Sequence, residues 1–225
     1  MDANDLLDRF LELQPLLWKA AVETLWMTAL TLLIGGFFGL VMGLTLYVTR
    51  RGSLLPNVAV FTALNLLVNT IRPIPFIIFL VALQPLARIV TGTGIGNAPI
   101  VFALSLAASF AVSRIVEQNL LTVNPGVIEA ARSVGAGPLR IMATVLLPEA
   151  LGPLILGYTF IFVAIVDAAA VAGLIGGGGL GAFALSYGHR QFNPFVTWGT
   201  VLLIIVIVQL VQLLGNVLAR KVLRR

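Results

Sequence analysis

Cysteine is absent from this chain of 225 residues, and histidine occurs once, at His189. Disulfides, thiolate metal sites and cysteine nucleophiles are thereby excluded, and a lone histidine cannot supply the paired ligands of a zinc helix. Charge is scarce as well. Only 10% of residues are Asp, Glu, Lys or Arg, against about 25% in an average soluble domain. A water-soluble fold could not cover its own surface with so few. The lysines are Lys19 and Lys221, followed by Ala and Val, so no phosphate-binding loop with its Lys-Ser or Lys-Thr pair exists here. A Gly-x-Ser-x-Gly nucleophile elbow is missing too. The net charge of +5 is spread over short basic clusters, which suits anchoring at a membrane surface and not a nucleic-acid patch. The acidic start, Met1 to Asp8, lacks the basic region of a secretory leader, so no cleaved signal is expected.

Apolar residues are what the chain has in excess, at 59%, with a mean hydropathy of +1.05. A bilayer-crossing helix needs about 20 mostly apolar residues, and five such stretches are legible. They run from about Ala20 to Tyr47, Ile74 to Val90, Pro99 to Val116, Leu151 to Ile175 and Phe195 to Ala219. A backward extension of the second through Asn65 and Asn69 stays open. The fold class expected is therefore an all-α membrane protein with five transmembrane helices, forming one domain over 1–225. Asp167 is the one acid expected at mid-membrane depth, which is too few for the paired carboxylates of an intramembrane aspartyl protease.

An odd number of spans puts the termini on opposite sides, and basic residues choose the side. Arg50, Arg51, Arg114, Arg132, Arg140, Arg220, Lys221, Arg224 and Arg225 gather on one side; Arg9, Lys19, Arg88 and Arg190 gather on the other. The imbalance predicts an outside N-terminus and a cytoplasmic C-terminus. Residues 3–14 place Leu6, Leu7, Phe10, Leu11 and Leu13 on one helical face, as in an interfacial helix, taken here as 1–17. Gly35, Gly39 and Gly43 form a smooth stripe for close helix contact within the chain or, as the alternative, between subunits.

The longest cytoplasmic segment, 117–150, is not a polar linker. Pro125 and Gly126 form a turn, and Val127 to Val134 reads as a short helix stopped by Gly135. Pro138 suits the first position of a second helix, Leu139 to Leu147, which Pro148 ends or kinks. Leu139, Met142, Val145 and Leu146 recur at helical spacing and predict an apolar ridge for a soluble partner.

Glu129-Ala130-Ala131, then Gly135, then Val145, Leu147 and Pro148 resemble the EAA loop of ATP-binding-cassette importer permeases, with Val145 in place of Ile. The resemblance implies a type I importer bundle in the bacterial inner membrane. In that family the loop docks on a separate ATPase, so Glu129, Ala130, Ala131, Gly135, Pro138, Leu139, Arg140 and Pro148 become the expected coupling residues. Leu46 to Arg50, Arg72 to Ile78, Gly92 to Gly96, Val145 to Leu151 and Gly176 to Gly181 resemble the methionine-uptake permeases in particular. That likeness implies a homodimeric pore with lipid around it and an extracytoplasmic substrate-binding protein above. No cofactor or catalysis is implied in this chain, because ATP and magnesium belong to the partner ATPase. The chain departs from the subfamily at Asp167-Ala168-Ala169-Ala170-Val171, where Gly-Tyr-Ser-Ala-Met is usual. That departure bears on the substrate, and a permease for another amino acid or small solute is the alternative. A secondary transporter or channel ranks last, because no inverted repeat is evident.

The same departure nominates pathway residues. Asp167 costs about 2.5–3.5 kcal/mol at a helix centre and should not face lipid. It either pairs with Arg72, Arg114 or a helix end, or lines the pathway with Ala170, Val171 and Arg72 as a counter-charge to a substrate ammonium. Arg72 otherwise reads as an interface anchor. Gly176 to Gly181 reads as an irregular outer connection allowing close backbone approach, with gating of the outer mouth as a second reading.

Overall fold

A computed structural model describes residues 3–223; Arg224 and Arg225, counted above among the basic residues, lie outside the described residues. Among the described residues every regular element is helical. The elements are α1 (Ala3–Glu12), α2 (Gln14–Thr49), α3 (Val58–Ile71), α4 (Phe76–Thr91), α5 (Asn97–Leu121), α6 (Pro125–Ser133), α7 (Pro138–Ile141), α8 (Leu147–Ala172), α9 (Gly179–Phe183) and α10 (Pro194–Leu223). They cluster into two compact units. One comprises the chain up to Leu33 with Pro75–Leu106 and Phe162–Val211; the other comprises Ile34–Ile74, Ala107–Ile161 and the chain from Gln212 on.

Four helical runs are long and apolar enough to cross a membrane: Gln14–Thr49, Asn97–Leu121, Pro138–Ile175 and Pro194–Leu223. The expected second span is different. Residues 58–71 and 76–91 form two helices bent by 110°, so a fifth span exists only if the pair is counted as one. At 1.5 Å per residue neither half reaches the roughly 30 Å of a hydrocarbon core. Pro73 and Pro75 cause the break: each removes a backbone donor, and Pro75 sits at the N-cap of α4 with a ψ of 132°. Asn65 and Asn69 therefore lie on a helix of their own. The third span is also longer than expected, since α5 carries on past Val116 through Glu117 to Leu121.

In the first unit, Met27, Leu80, Ile100, Val101, Ala103, Leu104, Ala169 and Ala172 make one buried cluster. A second is built from Leu17, Ala20, Ala21, Leu180, Phe183 and Val196, with Phe10 and Leu13 against it. The interfacial segment thus contributes to a core as well as a surface: Asn193 donates to the Leu6 carbonyl at 2.9 Å, while Leu7 and Leu11 remain exposed.

In the second unit the glycine stripe packs within the chain. A Cβ at Gly39 would sit 2.5 Å from Val112 Cβ, and one at Gly43 would meet the Ser113 carbonyl and Val116. Between apolar helices in an apolar solvent, such backbone approach is a main source of attraction. Tyr158 adds a bond, donating to the Gly36 carbonyl at 2.7 Å.

Candidate functional site

The loop between α5 and α8 is formed by short-range chemistry. Asn124 caps α6 by accepting from the Gly126 N–H at 2.9 Å, and Pro125 takes a first-turn position that needs no donor. At the other end Gly135 adopts φ +79°. Its N–H bonds the Arg132 carbonyl at 2.9 Å, and that of Ala136 bonds the Ala131 carbonyl at 3.1 Å. That pair of bonds is a Schellman cap, and the left-handed residue it needs is the reason for glycine here. Arg132 also donates to the Ser53 carbonyl at 3.0 Å, tying α6 to the turn after α2.

Pro138 opens α7 as expected, but Pro148 neither ends the helix nor breaks it. Residues 142–146 form a π-helical turn in which the Leu147 N–H reaches the Met142 carbonyl, five residues back. The hydrogen-bond register has already shifted where proline removes a donor, so the run continues into α8. The same shift rotates the expected ridge. Ile141 and Leu146 are fully buried, and Met142 and Val145 are half-buried. Leu139 is 73% exposed, and Val134, the residue before Gly135, is 82% exposed. Glu129, Ala130, Pro138, Arg140 and Pro148 are exposed, and Ala131 is half-buried. Val134 was overlooked because it lies at a helix end, where helical periodicity gives no signal.

Asp167 is exposed on α8 and has no hydrogen-bond or ion-pair partner among the described residues. Val171 and Ala170 lie one turn on and are half-buried; Ala169 and Ala172, on the other face, are buried in the core. Ala170 is occupied by packing, because Gly181 approaches so closely that a Cβ there would strike the Ala170 backbone. Arg72 is exposed at the bend between α3 and α4.

The glycine run is more ordered than an irregular connection. Asn97 accepts from the Gly178 N–H at 2.8 Å, Glu23 from the Gly179 N–H at 3.0 Å, and Thr24 from the Leu180 N–H at 2.8 Å. Gly176 and Gly179 have φ of +89° and +84°, so only glycine fits without strain.

A polar cluster escaped the sequence reading altogether. Arg114, expected near the end of the third span, lies inside α5, where it pairs with Glu117 at 2.5 Å and donates to Asn65 at 2.5 Å and Asn69 at 2.6 Å. Glu117 is only 5% exposed. Arg114 is thus not available to Asp167. The signals were present as i,i+3 and i,i+4 spacings of polar residues, but both pairs stood at the margins of expected spans. Among the described residues no cluster of His, Asp or Glu could hold a metal ion.

Residues 35–225 match the family described as the binding-protein-dependent transport system inner membrane component. The chain is 37% identical over 222 residues to a probable D-methionine transport system permease protein of Vibrio cholerae, covering 99% of both chains. It is likewise 37% identical to a methionine import system permease protein of Bacillus subtilis, covering 93% of this chain and 94% of that one. A permease chain from an inward-facing methionine ABC transporter superimposes with a TM-score of 0.91 at 37% identity, covering 94% of this chain and 98% of that one. An amino acid ABC transporter crystallised with histidines matches with a TM-score of 0.77 at 22% identity, a likeness of fold. The helices, the capped loop after α5 and these full-length similarities agree: the chain belongs to the inner membrane components of binding-protein-dependent transport systems.

Proposed function

We infer that this chain is the permease of an ATP-driven methionine importer and moves its substrate by alternating access. Full-length similarity to methionine permeases carries that reading. Two copies form the pore, with the N-termini outside and the C-termini in the cytoplasm, and residues 1–225 act as one permease domain. Residues 1–17 rest at the outer interface, and 117–150 form the coupling loop. A separate ATPase chain holds ATP and magnesium, and an extracytoplasmic binding protein delivers the solute.

In this reading the loop is a rigid lever. The Schellman cap at Gly135 fixes the angle between α6 and α7, and Val134 and Leu139 present an apolar knob beside Glu129, Ala130, Ala131, Pro138 and Arg140. Because α7 runs through the π turn into α8 past Pro148, a push on the knob is delivered along α8 toward Ala170, Val171 and Asp167. Arg72 stands at a helix bend as a further pathway candidate. The chain supplies no covalent chemistry; it is an element with two states that ligands at either face bias.

The test is uptake of labelled L-methionine into cells lacking their own transporter, with this chain expressed beside its ATPase and binding protein. ATP-dependent uptake supports the reading, and an assembled complex that ignores methionine overturns it. A permease for a different amino acid is the second reading, favoured by Asp167, an exposed carboxylate without a partner among the described residues, in the segment that departs from the usual Gly-Tyr-Ser-Ala-Met. Transport of a cationic or polar amino acid in place of methionine would select it.

A further inference from the structure

The polar end of α2 holds a cavity of about 290 Å³ that borders the coupling loop and to which the proposed transport cycle assigns no ligand. Arg50 and Arg51 follow directly on Thr49, the last residue of the 36-residue apolar helix. Arg132 enters from α6, and Tyr47, Ser53 and Glu129 complete the polar lining. Three guanidiniums against one carboxylate leave two positive charges in excess. The Ser53 hydroxyl oxygen is buried in this wall and has no hydrogen-bond partner. Buried hydroxyls are normally satisfied, so an orphan here marks a place where a ligand atom completes the bonding. Leu54, Val123 and Ile128 are all buried and give the cavity an apolar floor beneath its charged rim.

An anion with oxygen acceptors meets the arginines and the serine together, and guanidinium forks suit phosphate geometry. The location selects the source. The cavity opens where the apolar helix ends, which is headgroup depth for a lipid whose chains lie along α2, and basic pockets beside spans bind anionic headgroups. We propose that this cavity is a phosphodiester site that takes the headgroup of an anionic phospholipid. Glu129 and Arg132 also belong to the EAA-like loop, so an occupied site would hold the root of α6 against the turn after α2, reinforcing the bond from Arg132 to Ser53. The site does not depend on which solute is carried.

The experiment is native mass spectrometry of the full-length chain in detergent, with phosphatidylglycerol or phosphatidylcholine added at equal concentration. Wild type should retain phosphatidylglycerol preferentially through detergent exchange. Arg50→Gln and Arg51→Gln should each lower that retention about fivefold, the weight of one basic residue at a lipid surface. Ser53→Ala should lower it too, and it keeps the test readable should the arginine variants fail to reach the membrane. Equal retention of the two lipids, or retention unchanged in all three variants, overturns the proposal. Inorganic phosphate that displaces the lipid at low millimolar concentration also overturns it, in favour of a soluble phosphate. An ATPase chain that shields Arg51 and abolishes lipid retention when bound overturns it in favour of a protein contact.

Discussion

Arg114 and Glu117 give the sharpest test of what holds α3 to α5. Their side chains are 14% and 7% exposed, so the pair is largely withdrawn from solvent. Arg114→Met removes the cation and leaves the Glu117 carboxylate buried without a counter-charge. Breaking a buried pair from one side costs about 3–5 kcal/mol, most of it the stranded charge. Asn65→Leu removes one interhelical hydrogen bond, from Arg114, and a long one of 3.3 Å from Asn69 on its own helix; interhelical bonds in membrane proteins average about 0.6 kcal/mol with a maximum near 1.7. The double variant Arg114→Met/Glu117→Gln removes both charges, and replacing a whole buried pair is often close to neutral. The expected order of damage is therefore Arg114→Met first, the double variant second and Asn65→Leu least or equal second. Adding the second substitution should recover at least about 1.5 kcal/mol. Denaturant titration of the purified chain in mixed micelles, run as a double-mutant cycle, measures it. If Arg114→Met is no worse than Asn65→Leu, or if Glu117→Gln adds its full cost to Arg114→Met, no stranded charge dominates and the pair does not hold the helices in this way.

Other substitutions test local geometry. Gly39→Ala puts a Cβ 2.5 Å from Val112 Cβ and 2.8 Å from the Ser109 carbonyl, so α2 and α5 must separate at about 1–3 kcal/mol. Gly152→Ala meets only the end of the flexible Leu223 side chain, and the same titration should find it nearly neutral. At Gly135 nothing lies within 4 Å of a Cβ, but φ is +79°, so strain and not a clash decides. Gly135→Val should lose about 1–2 kcal/mol locally and weaken both ATPase co-purification and transport, while Gly135→Asn, which tolerates that conformation, should keep both. Asp167→Asn should reach the membrane at normal levels and change uptake or substrate preference; unchanged transport of every amino acid tested would remove Asp167 from the pathway.

The number of apolar runs, their order and the turn at Gly135 were legible because each rests on local chemistry: run length, a proline at a first turn, a glycine where φ must be positive. The bend between α3 and α4 was not. Hydropathy counts residues and carries no axis direction, so 14 and 16 helical residues meeting at 110° look like one long span or one short one. Pro148 misled for a related reason. Its helix-breaking character is judged against an α register, and the π turn before it had already altered that register. The Arg114 cluster was hidden by position: Arg114 stood at the end of the expected span and Glu117 beyond it, and only the continuation of the helix to Leu121 puts both on one helix facing Asn65 and Asn69.

The glycine run shows the limit most clearly. Its three successive N–H donors are satisfied by Asn97, Glu23 and Thr24, which stand 81, 156 and 156 residues away. No window along the chain could contain both the donors and their acceptors. Yet the composition carried half of the answer, because glycine at 176 and 179 permits the left-handed backbone, and glycine at 181 permits contact with Ala170. The segment is therefore shaped by α2 and α5 and rests on α8 beside Val171. A displacement of α2 or α5 at Glu23, Thr24 or Asn97 must either strand a backbone donor, at about 1–3 kcal/mol each, or carry the glycine segment with it. The second course is the cheaper, and it couples the stretch beside Val171 to the positions of α2 and α5.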